Sequence, residues 1–352
     1  MNPLRIGMIA PVSWRTPPGG YGPWELATHT LTEALVARGR DVTLFAAAGS
    51  QTAGRLVETT PAALSEAPHL DAKVHEMLHV AAAFERAREF DILHSQADLV
   101  PLAFSRLVDV PLVTTIHGLG SPETQARVLP IWRAYDDRVH YVAISNSDRH
   151  PALTYAATIH HGLDLADWPF ADPGPDAPLV FFGRMHPDKG PHAAIAIARA
   201  AGRPLVMAGI VHDEAYFRER VEPHIDGSHV RYLGNVKGAE RADVLGAGAA
   251  LLHPIAFDEP FGLSVIEAMA CGTPVIAYRR GSMPELIRDR VNGYLVDDEA
   301  GAATAVGRLG EIDRRACRHD VGRRFSAARM AADHEALYRR ILESRSQTRN
   351  AM

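Results

Sequence analysis

Two glutamates, eight positions apart, flank the start of a predicted helix in the strongest motif of the sequence. Glu259 stands just before Pro260, Phe261 and Gly262, and Glu267 lies two helical turns further on. A proline and a glycine at a helix start leave backbone N–H groups open to an anion. The spacing places both carboxylates on nearly one face, facing one cleft, where carboxylates accept hydrogen bonds from vicinal hydroxyls. The motif favours binding of a sugar and a ribose, although an ordinary helix-start acid and a surface acid would have the same spacing.

Two cations lie close together in the turn after another predicted strand. Arg184 and Lys189 are five positions apart in the run from Phe181 to Gly190. Fixed cations at a strand end could converge on a diphosphate. A pair of solvated surface cations is the alternative.

A glycine-rich turn follows the first predicted strand. Gly19 and Gly20 stand just before a helix, where backbone N–H groups can approach a phosphate. The spacing matches neither the dinucleotide-binding fingerprint nor the P-loop. Taken alone, the turn is equally typical of a tight connection without a ligand.

Histidines supply two further candidates. His117 ends a predicted strand, where it could face a ligand or have a structural role. His75, Glu76 and His79 satisfy the H-E-x-x-H spacing of zinc proteases. We expect these three on the polar side of their helix. The apolar stripe of that helix is predicted to contain Val74, Met77, Leu78, Ala81 and Phe84.

Apolar runs alternate with amphipathic stretches twice along the chain, which predicts two parallel sheets covered by helices. The predicted strands of the first half are Arg5–Ala10, Asp41–Ala46, Asp91–Ser95, Leu112–Ile116, Tyr141–Ile144 and Thr158–His160. Its predicted helices are about Tyr21–Arg38, Ala72–Glu89, Pro122–Tyr135 and Ser147–Tyr155. The predicted strands of the second half are Leu179–Phe182, Pro204–Ala208, His229–Leu233, Ala249–His253, Val275–Tyr278 and Tyr294–Val296. The fold class is therefore α/β, with two doubly wound Rossmann-like domains expected to face a cleft.

A proline-rich stretch separates the two halves. Asp164–Pro178 contains four prolines and one glycine in fifteen residues, too many for a regular element, so we interpret it as a linker. We place the first domain at residues 1–164, the linker at 165–178 and the second domain at 179–325. The tail from Ile312 to Leu342 has helical spacing, and residues 326–352 are expected to cross back onto the first domain.

Composition excludes several classes of protein. The 37 Lys and Arg residues against 42 Asp and Glu residues give a net charge of −5, so no overall positive field is available for a nucleic acid. Cys271 and Cys317 are too few for a disulfide framework, which predicts free thiols and a cytoplasmic protein. No activating base accompanies Cys271, so a buried structural thiol is expected. The sequence contains no run of about 18 apolar residues, so no membrane-spanning helix is expected.

The run EPFGLSVIEAMACGTPVI resembles retaining glycosyltransferases of family 4, which have the two-domain GT-B fold. Glu259 and Glu267 form the E-x7-E pattern of that family. The other matching segments, in chain order, are Gly19-Gly20, Ser145-Asn146-Ser147, His161-Gly162-Leu163-Asp164, Gly183-Arg184 with Lys189-Gly190, and Gly281-Ser282-Met283-Pro284-Glu285 with Asn292-Gly293. The resemblance therefore spans nearly the whole chain. The sequence departs from the family at Ala208-Gly209-Ile210-Val211, where members often have a glycine-rich turn, and this leaves the contacts to the base open.

The resemblance implies a role for each candidate in the second half. Arg184 and Lys189 would hold the diphosphate of a nucleotide-sugar donor, and Glu267 would hold its ribose. Glu259 would hold the transferred sugar together with the backbone of residues 261–263, which are Phe261, Gly262 and Leu263.

The resemblance also implies roles for the first half. The backbone of Gly19 and Gly20 would close over the donor phosphate, and His117 would lie against the donor sugar. The candidate catalytic residues are thus His117, Glu259, Arg184 and Lys189.

These assignments predict a hexosyltransferase that moves a sugar from a nucleotide-diphosphate sugar to an acceptor hydroxyl with retention of anomeric configuration. No D-x-D triplet is available to hold a metal, so we expect neither a metal nor another cofactor, with Arg184, Lys189 and helix N-termini neutralising the leaving group. The acceptor, whether a saccharide, a lipid or a small molecule, and the oligomeric state are left open, and no basic amphipathic helix indicates peripheral membrane contact. The alternatives are a sugar-nucleotide epimerase on the same architecture and a zinc hydrolase that uses His75, Glu76 and His79.

Overall fold

The computed structural model describes residues 3–174 and 176–350 of the chain. The chain divides into two compact units, each built around one parallel sheet. Unit 1 contains the residues up to Gly162 together with those from Ala327 onward, and unit 2 contains Leu163–Ser326. The chain thus leaves unit 1 once and returns to it near the C-terminus.

Unit 1 contains a seven-stranded sheet in which neighbouring strands are parallel. The strands are β1 (Arg5–Ile9), β2 (Asp41–Ala47), β3 (Arg55–Thr60), β4 (Ile92–Ser95), β5 (Leu112–Ile116), β6 (Val139–Ala143) and β7 (Tyr155–Thr158). Their order across the sheet is β3-β2-β1-β4-β5-β6-β7, with Met8 paired with Leu44 on one side and His94 on the other. The order reverses between β1 and β4, so the space beyond their carboxyl ends is the switch point where such sheets bind ligands.

Unit 2 contains a six-stranded sheet of the same kind. Its strands are β8 (Leu179–Phe182), β9 (Leu205–Ala208), β10 (Val230–Tyr232), β11 (Ala250–His253), β12 (Val275–Tyr278) and β13 (Gly293–Val296). The order is β10-β9-β8-β11-β12-β13, with parallel neighbours throughout and a switch point between β8 and β11. The predicted α/β class with two doubly wound Rossmann-like sheets is confirmed.

Helices follow most strands, as parallel connections require. They are α1 (Pro23–Ala37), α2 (Ala72–Glu85), α3 (Val100–Phe104), α4 (Pro122–Ala134), α5 (Pro191–Ala200), α6 (Glu214–Arg220), α7 (Ala239–Gly246), α8 (Leu263–Ala270), α9 (Met283–Leu286), α10 (Glu299–Val306), α11 (Arg314–Arg324) and α12 (Ala327–Asn350). Among the described residues, none of these helices is both long and apolar enough to cross a membrane.

Successive residues of the strands in unit 1 enter two different hydrophobic cores. Ile9 packs in the core that also contains Phe84 of α2 and Trp132 of α4. Its neighbour Met8 packs in the core that contains Leu35 of α1. Because side chains alternate across a strand, the sheet of unit 1 is covered on both faces.

The C-terminal helix α12 completes unit 1. Its contribution to the core beside α1 consists of Met330, Ala331, Leu337, Tyr338 and Ile341. The Glu335 side chain, only 5% exposed, forms ion pairs with Arg38 Nε at 3.0 Å and with Arg40 Nη2 at 2.9 Å. The predicted return of this helix to the first half of the chain is confirmed. Because the charged partners flank an apolar contact, the helix is held by both kinds of interaction.

The proline-rich segment packs against unit 2 over part of its length. Contrary to the expectation of no regular element, Leu165–Asp167 form a 3-10 turn, because the Asp164 carboxylate accepts a hydrogen bond from the Ala166 N–H. Trp168 is buried. Pro175, in the middle of the predicted linker, lies outside the described residues.

Helix α11 joins this segment to the rest of unit 2 through arginines. Arg318 donates hydrogen bonds to the carbonyl oxygens of Trp168, of Leu165 and of Ala270 at the end of α8. Arg314 donates to the Ala171 carbonyl at 3.1 Å and to carbonyls at the end of α7. The last carbonyl groups of a helix have no partner within that helix, so these guanidinium groups supply the missing donors. Arg314 and Arg318 of α11 are therefore structural.

Several predicted elements were wrong. The helix expected at Ser147–Tyr155 is a turn, because Ser145 Oγ accepts from the Asp148 N–H and Pro151 has no N–H to donate. The strand expected at Thr158–His160 ends at Thr158. Strand β3 and helix α3 had not been predicted.

The tail from Ile312 to Leu342 is helical over most of its length, as its spacing predicted. It is divided into α11 and α12, which meet at Phe325 and Ser326. The buried Phe325 ends α11 with a non-helical backbone (φ −129°, ψ 29°), and its carbonyl accepts a hydrogen bond from the Leu163 N–H at 2.8 Å. The break thus coincides with the point where the chain passes from unit 2 back to unit 1.

We predict that Arg318→Ala lowers the free energy of unfolding by about 2 to 4 kcal/mol, because three carbonyl groups lose their donor. Urea denaturation measures the change. Arg323→Ala is the matched control, since Arg323 is exposed on the same helix, and its effect should stay within about 0.5 kcal/mol. Equal effects of the two substitutions would contradict the stabilising role of the Arg318 hydrogen bonds.

Candidate active site

In unit 2, the predicted donor-binding residues lie on loops at the carboxyl ends of neighbouring strands. Arg184 and Lys189 follow β8, and Glu259 follows β11. The loop after β12 carries Gly281 and Ser282. Since β8 and β11 flank the switch point, the sheet brings these loops to the position where doubly wound folds bind ligands.

Two glycines allow these loops to touch. A Cβ on Gly190, which has φ 71°, would lie 2.1 Å from the Pro254 carbonyl oxygen. A Cβ on Gly281, which has φ 51°, would lie 2.4 Å from the Glu259 nitrogen. Ser282 also donates its N–H to the Glu259 carbonyl at 3.0 Å. Backbone contact therefore fixes the position of Glu259 from two sides.

Lys189 and Glu259 form an ion pair across the two loops. Lys189 Nζ donates to Glu259 Oε2, and both side chains are largely buried. His253 Nε2 lies 3.8 Å from the same oxygen and has no hydrogen-bond partner among the described residues. Burial lowers the pKa of His253 to about 4, so the imidazole is neutral at physiological pH. The ammonium group and the carboxylate compensate each other in a partly desolvated site.

Arg184 is a cation without a partner. It is partly exposed and forms no hydrogen bond or ion pair with any other residue that the structure describes. A guanidinium in the loop after a strand end, the same loop that carries Lys189, is suited to an anionic ligand.

Helix α8 begins at the same switch point. Its N-cap, Gly262, has φ 93°, and no side chain caps the helix start. The first N–H groups of an uncapped helix, together with the helix dipole, favour an anion or a polar oxygen. The predicted anion-binding helix start is thus present next to Glu259.

Glu267, the second glutamate of the motif, has a different environment from the expected open face. Its side chain is fully buried, and Arg241 Nη2 donates to its two oxygens at 2.6 Å and 2.5 Å. Burial raises the pKa of Glu267, and the guanidinium of Arg241 opposes that rise. Arg241 in turn lies over the rings of Trp168 and Phe182. A ribose hydroxyl that bound Glu267 would therefore share the carboxylate with Arg241.

In unit 1, His117 lies at the end of β5 between two aromatic rings. Trp24 stacks on one side at a centroid distance of 5.1 Å and His161 on the other at 5.2 Å. Its Nε2 atom is 2.8 Å from Gln96 Oε1, while Nδ1 has no partner among the described residues. Burial lowers the pKa of His117 to about 3, so the ring is a neutral hydrogen-bonding group. Gly19 and Gly20 lie in the turn just before α1, the helix that carries Trp24.

The second histidine of the H-E-x-x-H motif, His79, has structural partners. His79 is buried, with Nδ1 bonded to Thr59 Oγ1 at 2.5 Å and Nε2 to the Ala10 carbonyl at 2.8 Å. Both ring nitrogens are therefore occupied. The described part of the chain contains no group of three or more His, Cys, Asp or Glu side chains that could hold a metal. His79 is therefore not available as a zinc ligand, which argues against the zinc-hydrolase hypothesis.

The predicted apolar stripe of α2 was wrong at its N-terminal end. Val74, Met77 and Leu78 are about half exposed, while His79 is buried and Glu76 lines a cavity. A periodicity count treats histidine as polar, but a neutral imidazole with both nitrogens bonded can be buried.

Cys271 fits the expected structural role. It is buried and free, and burial raises the pKa of its thiol to about 12. A thiol in that state is a poor nucleophile.

The two doubly wound units have the architecture of the GT-B fold. The families that match the chain identify it as a glycosyltransferase of the family 4 type. The family described as "Glycosyltransferase Family 4" matches residues 25–167, and the one described as "Glycosyl transferases group 1" matches residues 167–312. The epimerase and zinc-hydrolase alternatives receive no support from these similarities.

Three known proteins illustrate the similarity. The glycogen synthase of Mycobacterium tuberculosis (strain ATCC 25618 / H37Rv) is 27% identical over 351 residues, which cover 85% of this chain and 84% of that protein. The structure of sucrose-phosphate synthase from Thermosynechococcus elongatus superposes with a TM-score of 0.79 at 21% identity, covering 97% of this chain and 100% of the other. The structure of Anabaena HepE in complex with UDP-glucose gives a TM-score of 0.71 at 19% identity, covering 97% and 100%. The last two similarities concern the fold.

Sequence reasoning missed two residues of the unit 2 site. His253 gave a weak signal, because a histidine ended the predicted strand whose loop carries Glu259. Arg241 gave none, because its contact with Glu267 depends on the packing of α7 against α8. The structure pairs Lys189 with Glu259 directly, although separate parts of a donor had been assigned to them.

We predict that the protein loses stability as the pH falls from about 6.5 towards 4. His79, His117 and His253 have lowered pKa values in the folded protein, of about 4, 3 and 4, whereas an unfolded histidine titrates near 6.5. Over that window the unfolded chain binds protons that the folded chain does not bind, so stability is complete above it and declines below it. The decline should be on the order of 1 to 3 kcal/mol for each histidine.

Thermal unfolding between about pH 7.5 and pH 5 tests this expectation. His79→Gln, which keeps a donor for the Ala10 carbonyl but does not titrate, should make the dependence on pH shallower. His229→Gln is the control because His229 is exposed. A melting temperature that does not change over this range would contradict the prediction.

Proposed function

We propose that the protein transfers a sugar from a nucleotide-diphosphate sugar to an acceptor hydroxyl, with retention of anomeric configuration and without a divalent metal. Unit 2 binds the donor in this proposal, and unit 1 binds the acceptor. The observation that carries it is the unpaired Arg184, in the same loop as Lys189, together with the uncapped start of α8 at one switch point. HepE, a structure of the same fold, was solved with UDP-glucose, which supports a donor of this class.

The diphosphate would be held by Arg184, Lys189 and the N–H groups at the start of α8. The transferred sugar would bind Glu259 and the backbone of residues 261–263. In this proposal the donor separates Lys189 from Glu259: its phosphate takes over the ammonium, and its sugar hydroxyls take over the carboxylate. The ion pair between the two side chains compensates both charges.

The remaining predicted residues receive secondary roles. Glu267 would accept hydrogen bonds from the ribose while it remains paired with Arg241. His117 would offer its unpartnered Nδ1 to a hydroxyl of the transferred sugar. Gly19 and Gly20 would contribute backbone N–H groups to the donor phosphate.

The reaction breaks the bond between the anomeric carbon and the phosphate oxygen and forms a bond from that carbon to the acceptor oxygen. The acceptor proton passes to the departing diphosphate, whose developing charge Arg184 and Lys189 stabilise. The acceptor oxygen attacks the same face of the anomeric carbon from which the diphosphate departs, so the configuration is retained. The family resemblance supports this stereochemistry, and the cationic loop supports charge stabilisation without a metal.

We predict that one nucleoside diphosphate among UDP, GDP, ADP and dTDP raises the melting temperature in the presence of EDTA. A ligand that binds only the folded protein stabilises it by about 2.7 kcal/mol at a hundred times its dissociation constant. Addition of Mg²⁺ should not increase the shift. A shift that requires Mg²⁺ would contradict metal independence, and the absence of any shift would contradict the donor assignment.

The same assay tests Arg184 directly. Arg184→Ala should reduce the shift, because a charge-assisted contact to the diphosphate contributes about 1.5 to 3 kcal/mol. Arg231→Ala is the matched control, since Arg231 is an exposed arginine of unit 2 on β10. The two variants should melt at similar temperatures without nucleotide.

We predict that Lys189→Ala lowers kcat by about two to three orders of magnitude, because it removes a group that stabilises the leaving diphosphate. Release of the nucleoside diphosphate in the presence of donor and acceptor provides the measurement. Product mass separates transfer, which adds a sugar to the acceptor, from epimerisation, which leaves the donor mass unchanged. Unchanged turnover in the variant would contradict the phosphate-binding role.

A further inference from the structure

Unit 1 contains a cavity of about 540 Å³ at its own switch point, beyond β1 and β4. We call it the acidic cavity. Its lining includes three aromatic residues and three acids, and none of its lining residues is Lys or Arg; the aromatic residues are Trp14, Tyr21 and Trp24, and the acids are Glu25, Glu76 and Asp98. The volume is within the range of about 300 to 1,000 Å³ that small-molecule sites have.

The aromatic residues form a surface for an apolar sugar face. Tyr21 is 40% exposed and Trp24 37% exposed, large values for aromatic side chains in a folded unit. Trp14 and Tyr21 meet edge to face at 6.4 Å. Trp24 also stacks on His117, so this wall is continuous with the residue expected to contact the donor sugar.

The carboxylates lack cationic partners. The buried Glu25 accepts a hydrogen bond from the Trp14 N–H at 3.0 Å, which holds it in place. Burial raises the pKa of Glu25, of Asp98 and of Glu76, and the charge of Asp98 raises that of Glu76 further. No ion pair to these three acids exists among the described residues, and they form no metal-binding group there. His79 of the wall is neutral at physiological pH because burial lowers its pKa to about 4, so it supplies no positive charge.

We infer that the acidic cavity binds the acceptor, and that the part of the acceptor that enters is polyhydroxylated and carries no negative charge. This inference rests on the proposed transfer to an acceptor hydroxyl. Carboxylates accept hydrogen bonds from hydroxyl groups, and the exposed rings pack against C–H groups of a sugar. A phosphate or carboxylate group would meet like charges without any compensating cation. The cavity therefore selects the acceptor by excluding anions as much as by binding hydroxyls.

Binding of matched sugars in the absence of any donor tests the inference. The probes are glucose with glucose 6-phosphate, mannose with mannose 6-phosphate, and myo-inositol with myo-inositol 1-phosphate. The readout is tryptophan emission, since Trp14 and Trp24 line the cavity whereas Trp132 and Trp168 are buried elsewhere. A neutral member should change the emission, and its phosphorylated counterpart should bind about tenfold more weakly or worse.

Variants separate the effect of charge from that of shape. Glu76→Lys should reverse the preference within a pair, and Asp98→Asn, a smaller change that preserves shape, should reduce it. Glu85→Gln is the matched control because Glu85 is exposed on the same helix, α2, and does not line the cavity. Equal or tighter binding of the phosphorylated members to the unmodified protein overturns the inference, as does a lack of response to every neutral probe.

The two proposals can fail separately. If a nucleoside diphosphate stabilises the protein but no neutral sugar binds, the inference about the acidic cavity is wrong while the donor assignment stands. If neutral sugars bind but no nucleoside diphosphate does, the proposed transfer is contradicted instead.

Discussion

The ion pair between Lys189 and Glu259 is the interaction on which the site of unit 2 depends. It joins the loop after β8 to the loop after β11, which also meet through a cation–π contact of Lys189 with Phe257 and through a close backbone approach at Gly190 that tolerates no side chain. Two opposite charges in a partly desolvated site cost little as a pair and much when one is removed. The pair thus keeps the site assembled, and a ligand with an anionic part and a hydroxylated part can replace both partners at once.

The second charged pair of this unit has a different character. Glu267 is fully buried, and Arg241 is enclosed by Trp168 and Phe182. Such a pair fixes the position of α7 relative to α8 and of the segment that carries Trp168. The arginines of α11 also donate hydrogen bonds to carbonyl groups of the same segment. The segment through which the chain passes into unit 2 is therefore packed against that unit. The candidate site therefore rests on a rigid support.

The sequence predicted the two sheets and the positions of most strands because buried parallel strands are short apolar runs. It predicted that Lys189 and Glu259 lie at one sheet edge for the same reason. Strand β3 was missed because it lies at a sheet edge and contains only two apolar residues, Leu56 and Val57. The burial of His79 and the pairing of Arg241 with Glu267 were beyond sequence reasoning, since both depend on partners distant along the chain.

Helix α12 determines the order in which the protein can fold during its synthesis. Unit 2 is continuous in sequence and can form as soon as its last residue has left the ribosome. Unit 1 needs Leu337, Tyr338 and the buried Glu335, which are translated near the end of the chain. The strands of unit 1 are therefore synthesised before the helix that completes their core. Until α12 packs on them, their apolar face beside α1 is exposed, and exposed apolar surface promotes aggregation.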